Sequence, residues 1–332
     1  MKNIVLTFPE EKTYKLRENY LYDLIIIGAG PAGLTAAVYA ARRKLSILLV
    51  SKDIGGQTLL TSGIENYMGY HYITGRELVN KFEEQVKLYP IDLAIGEEVK
   101  KIEVKEGLIK VYLKSGKKAY GKAAIIASGK RSRQLNVPGE KELIGRGVTY
   151  CAVCDAPLFS GMDVAVIGGG NSAAIAAIDL IKNASKIYIV NIEHSWKAES
   201  ILVERIEKSE KVKLFFGYEV KEILGKDKVE AIVIKSLTTQ KIEKLPVQGV
   251  FIEIGLTPNS EFAEGVVELN KAGEIIVDCY CRTSVPGVFA AGDVTNVPEK
   301  QIIIAAGEGA KAALSAYNYL LTKGGEKFAF IK

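Results

Sequence analysis

Two glycine-rich turns, each pinned between a short apolar run and a helix-length stretch, constrain the fold of this chain more than any other feature of its sequence. In the first, Leu24-Ile25-Ile26-Ile27 leads into Gly28-Ala29-Gly30-Pro31-Ala32-Gly33, then a helical stretch from Leu34 to Arg43 and a second apolar run, Ile47-Leu48-Leu49-Val50. In the second, Val164-Ala165-Val166-Ile167 leads into Gly168-Gly169-Gly170-Asn171-Ser172-Ala173, a helical stretch to about Asn183 and a strand at Ile187–Val190. Four-residue apolar runs rich in β-branched side chains read as parallel strands buried on both faces. Strand, turn, helix and strand at this length form the β-α-β unit of dinucleotide-binding folds. Both copies carry an aspartate just ahead of the first strand, Asp23 and Asp163. In both, the residue after the second strand (Ser51, Asn191) stands 23 positions beyond the first glycine. Gly28 permits the tight turn, Gly30 lets a pyrophosphate approach the backbone, and Gly33 lets helix and strand pack closely. The phosphates then meet free N–H groups at the helix start. Two dinucleotides are therefore expected.

A chain of 332 residues suggests about two domains. Ile125–Gly129 ends a strand, and the polar stretch Lys130–Gln134 reads as a linker. Glu253-Ile254-Gly255-Leu256-Thr257-Pro258-Asn259 fits a return crossing. The expected architecture is α/β, with two dinucleotide-binding three-layer (ββα) domains, the second inserted into the first. Residues 1–131 and 260–332 form the first domain and 132–259 the second, with the final piece rejoining through Val288–Asp293 and a helix from about Gln301 to Leu321. The sequence holds no run of 18 apolar residues and no hydrophobic leader, so a cytoplasmic protein with no membrane span is expected. The net charge of +5 comes from interspersed signs, which gives no nucleic-acid stripe.

Between the two turns lies Cys151-Ala152-Val153-Cys154-Asp155. Two thiols at this spacing can close and reopen a disulfide, a two-electron couple, and in a cytosolic setting such a pair is redox-active or metal-binding more often than structural. Zinc needs four ligands, whereas the other cysteine pair, Cys279 and Cys281, is far downstream and both histidines, His71 and His194, are remote in sequence. No metal site is expected. Cys279 and Cys281 fall at i and i+2 on an expected strand, Ile275–Tyr280. They would point to one face as buried free thiols with no assigned role.

Six stretches in order, GAGPAG (28–33), GGQT (55–58) with IENYMG (64–69), CAVCD (151–155), GGGNS (168–172), IGLTPN (254–259) and TSVPGVFAAGD (283–293), resemble the low-molecular-weight thioredoxin reductase family. The likeness runs from Asp23 to about Leu321. It implies a homodimer with non-covalent FAD in the first domain and the redox disulfide on an inserted pyridine-nucleotide domain. Its reaction would pass electrons from a reduced nicotinamide to FAD, to Cys151–Cys154, and to a thioredoxin-like protein disulfide. Carried over by position, Gly28, Gly30, Pro31, Ala32 and Gly33 would take the FAD pyrophosphate, with Ser51 at the ribose. Gly56, Gln57 and Asn66 would line its middle, and Val99, Ala127 and Gly129 would also bind FAD. Gly292 and Asp293 would meet the ribityl-phosphate region, and Gln301 and Ile302 the isoalloxazine. Cys154 would face the flavin as the charge-transfer thiolate, Cys151 would exchange with the partner disulfide, and Asp155 would supply a proton to a leaving thiolate. Asp155 also reads as a helix N-cap. The family rotates its inserted domain, so the crossings near 130 and 257 are the expected hinges.

Gly168, Gly170, Asn171 and Ser172 would hold the nicotinamide nucleotide. NADPH-using relatives follow the second strand with a His-Arg-Arg cluster and a later arginine, but this chain has Asn191, Ile192, Glu193 and Lys197 there. In this it resembles archaeal members with a degraded 2′-phosphate motif. Glu193 opposes a 2′-phosphate, and Asn191 could bond a ribose hydroxyl, so NADH is favoured over NADPH, with poor use of both as a third outcome. A dithiol or NADH oxidase and a flavin-binding redox sensor are the rival readings. A solvated surface pair is the plain reading of Glu193 and Lys197.

Overall fold

The computed structural model describes residues 16–60, 64, 66–150 and 152–322, apart from the side chains of Leu60, Val153 and Cys154. The chain is α/β and forms two compact units. Ser132–Leu256 makes one, and the chain through Arg131 combines with the chain from Thr257 onward to make the other.

The first unit opens with β1 (Leu21–Ala29), α1 (Pro31–Arg42) and β2 (Ile47–Ile54), followed after a short 3₁₀ turn at Gly56–Leu60 by α2 (Gly75–Lys87) and β3 (Asp92–Ile95). Next come β4 (Val99–Lys105), β5 (Leu108–Leu113) and β6 (Lys118–Ile126), an antiparallel meander whose last strand lies parallel to β1. The strand order is β3-β2-β1-β6-β5-β4. Leu24 and Ile26 pack on one face of β1 with Ala36 and Ala40 of α1, while Ile25 and Ile27 pack on the other with Ile102 and Val111 of the meander. Burial on both faces is why this strand reads as an unbroken apolar run. Each fully buried Leu or Ile contributes about 1.5–3 kcal/mol.

β7 (Lys130–Ser132) carries the chain into the second unit, so the expected polar linker is in part a strand. The second unit contains β8 (Val148–Thr149), α3 (Ala152–Asp155), β9 (Asp163–Ile167), α4 (Asn171–Ile181), β10 (Lys186–Asn191), α5 (Ser200–Glu207) and β11 (Val212–Phe216). Then follow β12 (Tyr218–Gly225), β13 (Val229–Ser236), β14 (Ile242–Pro246) and β15 (Gly249–Ile252). The parallel sheet runs β11-β10-β9-β15-β8, and β12-β13-β14 form a separate antiparallel sheet. Val164 and Val166 pack against Ala173, Ala177 and Leu180 of α4, whereas Ala165 and Ile167 pack against Ile223, Ile232 and Ile234 of the antiparallel sheet. Helices on one face and three strands on the other make the expected ββα layering. The internal repeat extends to strand register: Leu24 stands opposite Ile47 and Val164 opposite Ile187, the same separation in both copies.

β16 (Leu256–Pro258) returns the chain and pairs with β7. Asn259 anchors this return within the first unit. Its carbonyl accepts from Ser128 Oγ at 2.6 Å, its Nδ2 donates to the Ser128 carbonyl at 2.8 Å, and its Oδ1 accepts from Arg131 at 2.7 Å. β17 (Val288–Ala290) then lies beside β6, and α6 (Ile302–Leu321) packs on α1 so closely that a Cβ on Gly309 would stand 2.0 Å from the Ala32 carbonyl oxygen.

The expected strand at Ile275–Tyr280 does not form. Asp278 Oδ1 accepts from the Tyr280 and Arg282 amides at 2.9 and 3.0 Å, which folds the chain into a turn with Cys281 at φ +62. An aspartate that captures its own downstream amides competes with strand pairing. Cys279 is consequently exposed and Cys281 buried, so the two do not share a face. Among the described residues no helix is long and apolar enough to cross a membrane, and no group of three or more His, Cys, Asp or Glu could hold a metal ion.

Candidate active site

The first glycine turn is built against the end of β6. Gly28 has φ +107, and a Cβ on it would stand 2.3 Å from the Ala127 carbonyl oxygen; one on Gly33 would stand 1.8 Å from the Gly28 carbonyl. Only glycine fits either place. Gly30 differs: a Cβ there would meet nothing within 4 Å, so its surface is open. Gly30 is also the N-cap of α1 and makes no side-chain cap bond, and Pro31 occupies the first helical turn, where a missing N–H costs nothing. The contrast is α2, whose start is closed by a reciprocal capping box between Thr74 and Glu77. Gly56 comes over the same turn, with its would-be Cβ 3.7 Å from the Gly30 Cα, and it begins the 3₁₀ turn that contains Gln57. Ser51 Oγ accepts from the Ala29 N–H at 3.1 Å, which ties the end of β2 to the turn. A cradle that a Cβ would fill, beside uncapped helix N–H groups, fits a pyrophosphate.

The other candidates of the first unit lie near the ends of β6, β17 and α6, at the start of β4 and in the loop before α2. Ala127 donates its N–H to the Ile27 carbonyl at 2.7 Å, Gly129 has φ +67 with open space around it, and Val99 is a half-buried residue at the start of β4. Asn66 Nδ2 donates to Gln301 Oε1 at 3.2 Å, and Ile302, the first residue of α6, packs against Ile64, Ile73 and Leu78. Gly292 has φ +77 and donates its N–H to the buried Glu308 Oε2 at 2.8 Å. Asp293 is half-buried, and no described residue hydrogen-bonds its carboxylate. Burial pushes its pKa up, with Lys300 and Lys130 pulling the other way. A desolvated carboxylate without a partner is suited to a ligand's hydroxyl or N–H.

The dithiol segment follows β8. Cys151 lies outside the described residues, as does the Cys154 side chain, but the backbone from Ala152 to Asp155 is one turn of helix. Asp155 accepts from Thr149 Oγ1 at 2.5 Å. It stands at the N-cap of the following 3₁₀ turn but makes no side-chain cap bond there. The Ala152 N–H donates to Glu253 Oε1 at 3.3 Å.

The second turn repeats the first. Gly168 has φ +137, its would-be Cβ 2.3 Å from the Glu253 carbonyl oxygen, while Gly170 caps α4 with no side-chain bond and has open space. The loop after β10 is knitted to this turn, with the Lys197 N–H on the Gly169 carbonyl at 2.7 Å. Asn191 is buried at 5% exposure, donates to the Ser195 carbonyl at 3.1 Å and accepts from the Glu193 N–H at 3.3 Å. Its amide is therefore engaged inside the loop, not presented to a ribose. Asn171 is bonded at both ends to Glu199, at 2.9 and 3.0 Å, and Ser172 Oγ donates to the Glu253 carbonyl at 3.4 Å. Glu193 and Lys197 form an exposed i, i+4 ion pair at 2.6 Å. The Lys197 hydrogen bond holds the Glu193 carboxyl below its usual range, so the site presents a carboxylate at neutral pH.

Residues 22–309 match the family described as pyridine nucleotide-disulphide oxidoreductase. The chain belongs to this family. Among solved structures it is similar to thioredoxin reductase from Streptococcus pyogenes, at 39% identity and TM-score 0.79 over 92% of this chain and 100% of that one. It is similar also to thioredoxin reductase from T. acidophilum, at 38% identity and TM-score 0.68 over 91% and 99%. Curated relatives include a protein named NADH dehydrogenase from Bacillus subtilis, 43% identical over 90% of this chain, and a component of alkyl hydroperoxide reductase from Pseudomonas putida, 42% identical over 92%. The chain spans about three fifths of the length of those curated relatives, 59% and 60%.

Three carboxyls were not singled out by the motifs: Glu140 and Glu308, which are buried, and Glu253, which is half-buried. Glu140, fully buried, accepts from the Leu135 and Asn136 amides and from Tyr150 Oη at 2.9, 2.6 and 2.8 Å, which ties the entry segment to the residue before Cys151. Glu253 bridges the second turn and the dithiol segment, and Glu308 supports the Gly292–Asp293 turn. For Glu253 and Glu308 a signal exists: each is a lone acid in an apolar or small-residue run, Val250–Ile254 and Ala305–Ala313.

Proposed function

We propose that the protein is an FAD-dependent thioredoxin-disulfide reductase that takes electrons from NADH in preference to NADPH. The observation that carries the proposal is the presence of two uncapped glycine turns together with a CxxC segment that follows β8 in the second unit. When bound, FAD supplies two-electron exchange between a nicotinamide and a disulfide. Gly28, Gly30 and Gly33 would hold the FAD pyrophosphate, Gly56 and Gln57 would cover it, and Asp293 would accept from the ribityl side. Gln301 and Ile302 would offer backbone groups to the ring, and Gly129 would also bind FAD. On the second unit, Gly168 and Gly170 leave the α4 N–H groups open, where they would hold the nicotinamide nucleotide. Cys151 attacks the partner disulfide, Cys154 closes the ring, and Asp155, oriented by Thr149, delivers a proton to the departing sulfur. The names of the thioredoxin reductases that the chain resembles support a thioredoxin-like partner, and a homodimer acting in the cytoplasm accords with this reading.

The exposed Glu193–Lys197 pair supports NADH, because a carboxylate there repels a 2′-phosphate. The same pair, with relatives named NADH dehydrogenase, favours a flavin-dependent NADH oxidase as the second reading. Anaerobic mixing of the flavin-loaded protein with NADH or NADPH, then with a purified oxidised thioredoxin-like protein, separates them. New thiols on the partner, faster with NADH and lost in C151S and C154S, are the expected result. Oxygen consumption without thiol transfer sinks the reductase reading.

A further inference from the structure

The turn that carries Asp293 is tied down at each neighbouring residue. The Ala291 N–H donates to the Ile126 carbonyl at 3.0 Å, the Gly292 carbonyl accepts from the Thr295 N–H and Oγ1 at 3.0 and 2.8 Å, and the Val294 carbonyl accepts from the Ile275 N–H at 2.9 Å. The Gly292 N–H goes to a side chain instead and donates to Glu308 Oε2 at 2.8 Å. Glu308 sits in the Ala305–Ala313 stretch of α6 and is only 6% exposed, and its own carbonyl accepts from the buried Cys281 thiol at 3.7 Å. An acid is a costly choice at a buried helix position, and among the described residues the bond to Gly292 is the one its carboxyl makes. Gly309, the next residue, packs where a Cβ would stand 2.0 Å from the Ala32 carbonyl oxygen, and a Cβ on Gly292 would stand 3.0 Å from the Ala32 Cβ. The first glycine turn, the Gly292–Asp293 turn and α6 therefore meet at Ala32.

We propose that Glu308 is a positioning residue of the flavin site: its carboxyl holds the Gly292 N–H and, through that bond, sets where Asp293 meets FAD. The proposal rests on the FAD reading given above and adds to it a residue that acts through the turn. No described residue hydrogen-bonds the Asp293 carboxylate, so its direction depends on the backbone that carries it. Gly292 has φ +77, a region that glycine enters easily and leaves as easily, so the turn needs an external tie. Glu308 supplies it. With a shorter or apolar side chain at that position the Gly292 N–H is left buried without an acceptor, and the backbone gains by turning to find one, taking Asp293 with it. Burial pushes the Glu308 pKa up and the nearby Asp293 adds to the rise, whereas the Gly292 N–H, Lys311 and Lys300 pull it down. Reach therefore matters more than charge. A glutamine makes the same bond without a second negative charge beside Asp293, while an aspartate has the charge and falls one methylene short.

The test is the FAD affinity of the full chain, stripped of flavin and titrated with FAD while the flavin fluorescence is followed. Thermal melts check that each stripped protein is folded. Glu308→Ala and Glu308→Asp are expected to weaken binding by about ten- to hundredfold, and Glu308→Gln by about threefold or less. Asp293→Asn supplies the readout that a packing defect would not move. Because Glu308 acts through Asp293, adding E308A to D293N should cost no more than about a further threefold, whereas independent losses would multiply. If E308A does not fold, E308D carries the same comparison. Wild-type affinity in E308A and E308D, a glutamine variant as weak as the alanine one, or losses that multiply in the double variant each overturn the proposal. A wild-type protein that does not bind FAD defeats the FAD reading and this proposal together, whereas tight wild-type binding with any of those three results defeats the proposal alone.

Discussion

Gly28→Ala and Gly30→Ala are chemically the same change two residues apart, and the structure assigns them opposite consequences. At Gly28 the backbone has φ +107, which costs alanine about 1–2 kcal/mol. The added methyl would also stand 2.3 Å from the Ala127 carbonyl oxygen and 2.7 Å from its carbon. That contact is with backbone at the end of a central strand, so β6 or the turn must shift, for about another 1–3 kcal/mol. The sum is about 2–5 kcal/mol, or a fall in melting temperature of about 5–15 °C in the flavin-free protein. At Gly30 the backbone has φ −78, open to any residue, and the methyl meets nothing within 4 Å. Losing a favourable N-cap residue costs under about 1 kcal/mol, while the methyl occupies the approach to the pyrophosphate and weakens FAD binding by about tenfold or more. Thermal melts of the stripped proteins and flavin titration measure the two effects independently. A G28A protein as stable as wild type, or a G30A protein with undiminished FAD affinity, refutes the reasoning.

Three further perturbations follow from the same geometry. Glu193→Arg replaces the carboxylate of the exposed pair with a cation, so a 2′-phosphate is attracted instead of repelled, and should raise NADPH use relative to NADH by about three- to tenfold; steady-state or flavin-bleaching rates with each donor check it. Glu140→Ala leaves the Leu135 and Asn136 amides and the Tyr150 hydroxyl without their acceptor. It should cost about 2–5 kcal/mol in denaturant melts, with Glu140→Gln costing less. Glu253→Gln should stabilise the protein in a pH-dependent way. A carboxyl whose folded pKa is raised to about 7 exerts no penalty below its unfolded value near 4.5, a growing one as pH rises between the two, and a constant one above 7. The variant's advantage should therefore be absent at about pH 4 and reach at most on the order of 3 kcal/mol at about pH 8; a pH-independent difference contradicts it.

The parts of the fold legible in the sequence are those in which local pattern and tertiary packing ask for the same residues. Leu24–Ile27 and Val164–Ile167 are apolar at every position because their sheets are covered on both faces, and the glycines after them are required by φ and by close carbonyls. The strand expected at Ile275–Tyr280 failed because one side chain, Asp278, overrode the β-branched run Ile275-Ile276-Val277 before it. The crossing residues Lys130–Ser132 read as linker because their polar side chains serve a partly exposed two-stranded ribbon, which leaves no apolar signature. Asn191 shows a different limit: its position beyond the glycine turn was readable, but that its amide faces inward, onto Ser195 and Glu193, is set by the loop that folds over Gly169. Buried acids are the least legible class, because a glutamate in a polar stretch such as Pro138-Gly139-Glu140 looks like any surface acid until its three donors are seen.

The central claim is that the Cys151–Cys154 pair exchanges electrons with the flavin. An anaerobic dithionite titration, followed through the flavin absorbance, counts the electrons that each protein accepts. A disulfide is a two-electron couple, so the wild type should take up two electrons per flavin more than C151S or C154S. Equal uptake by wild type and both variants would contradict the account.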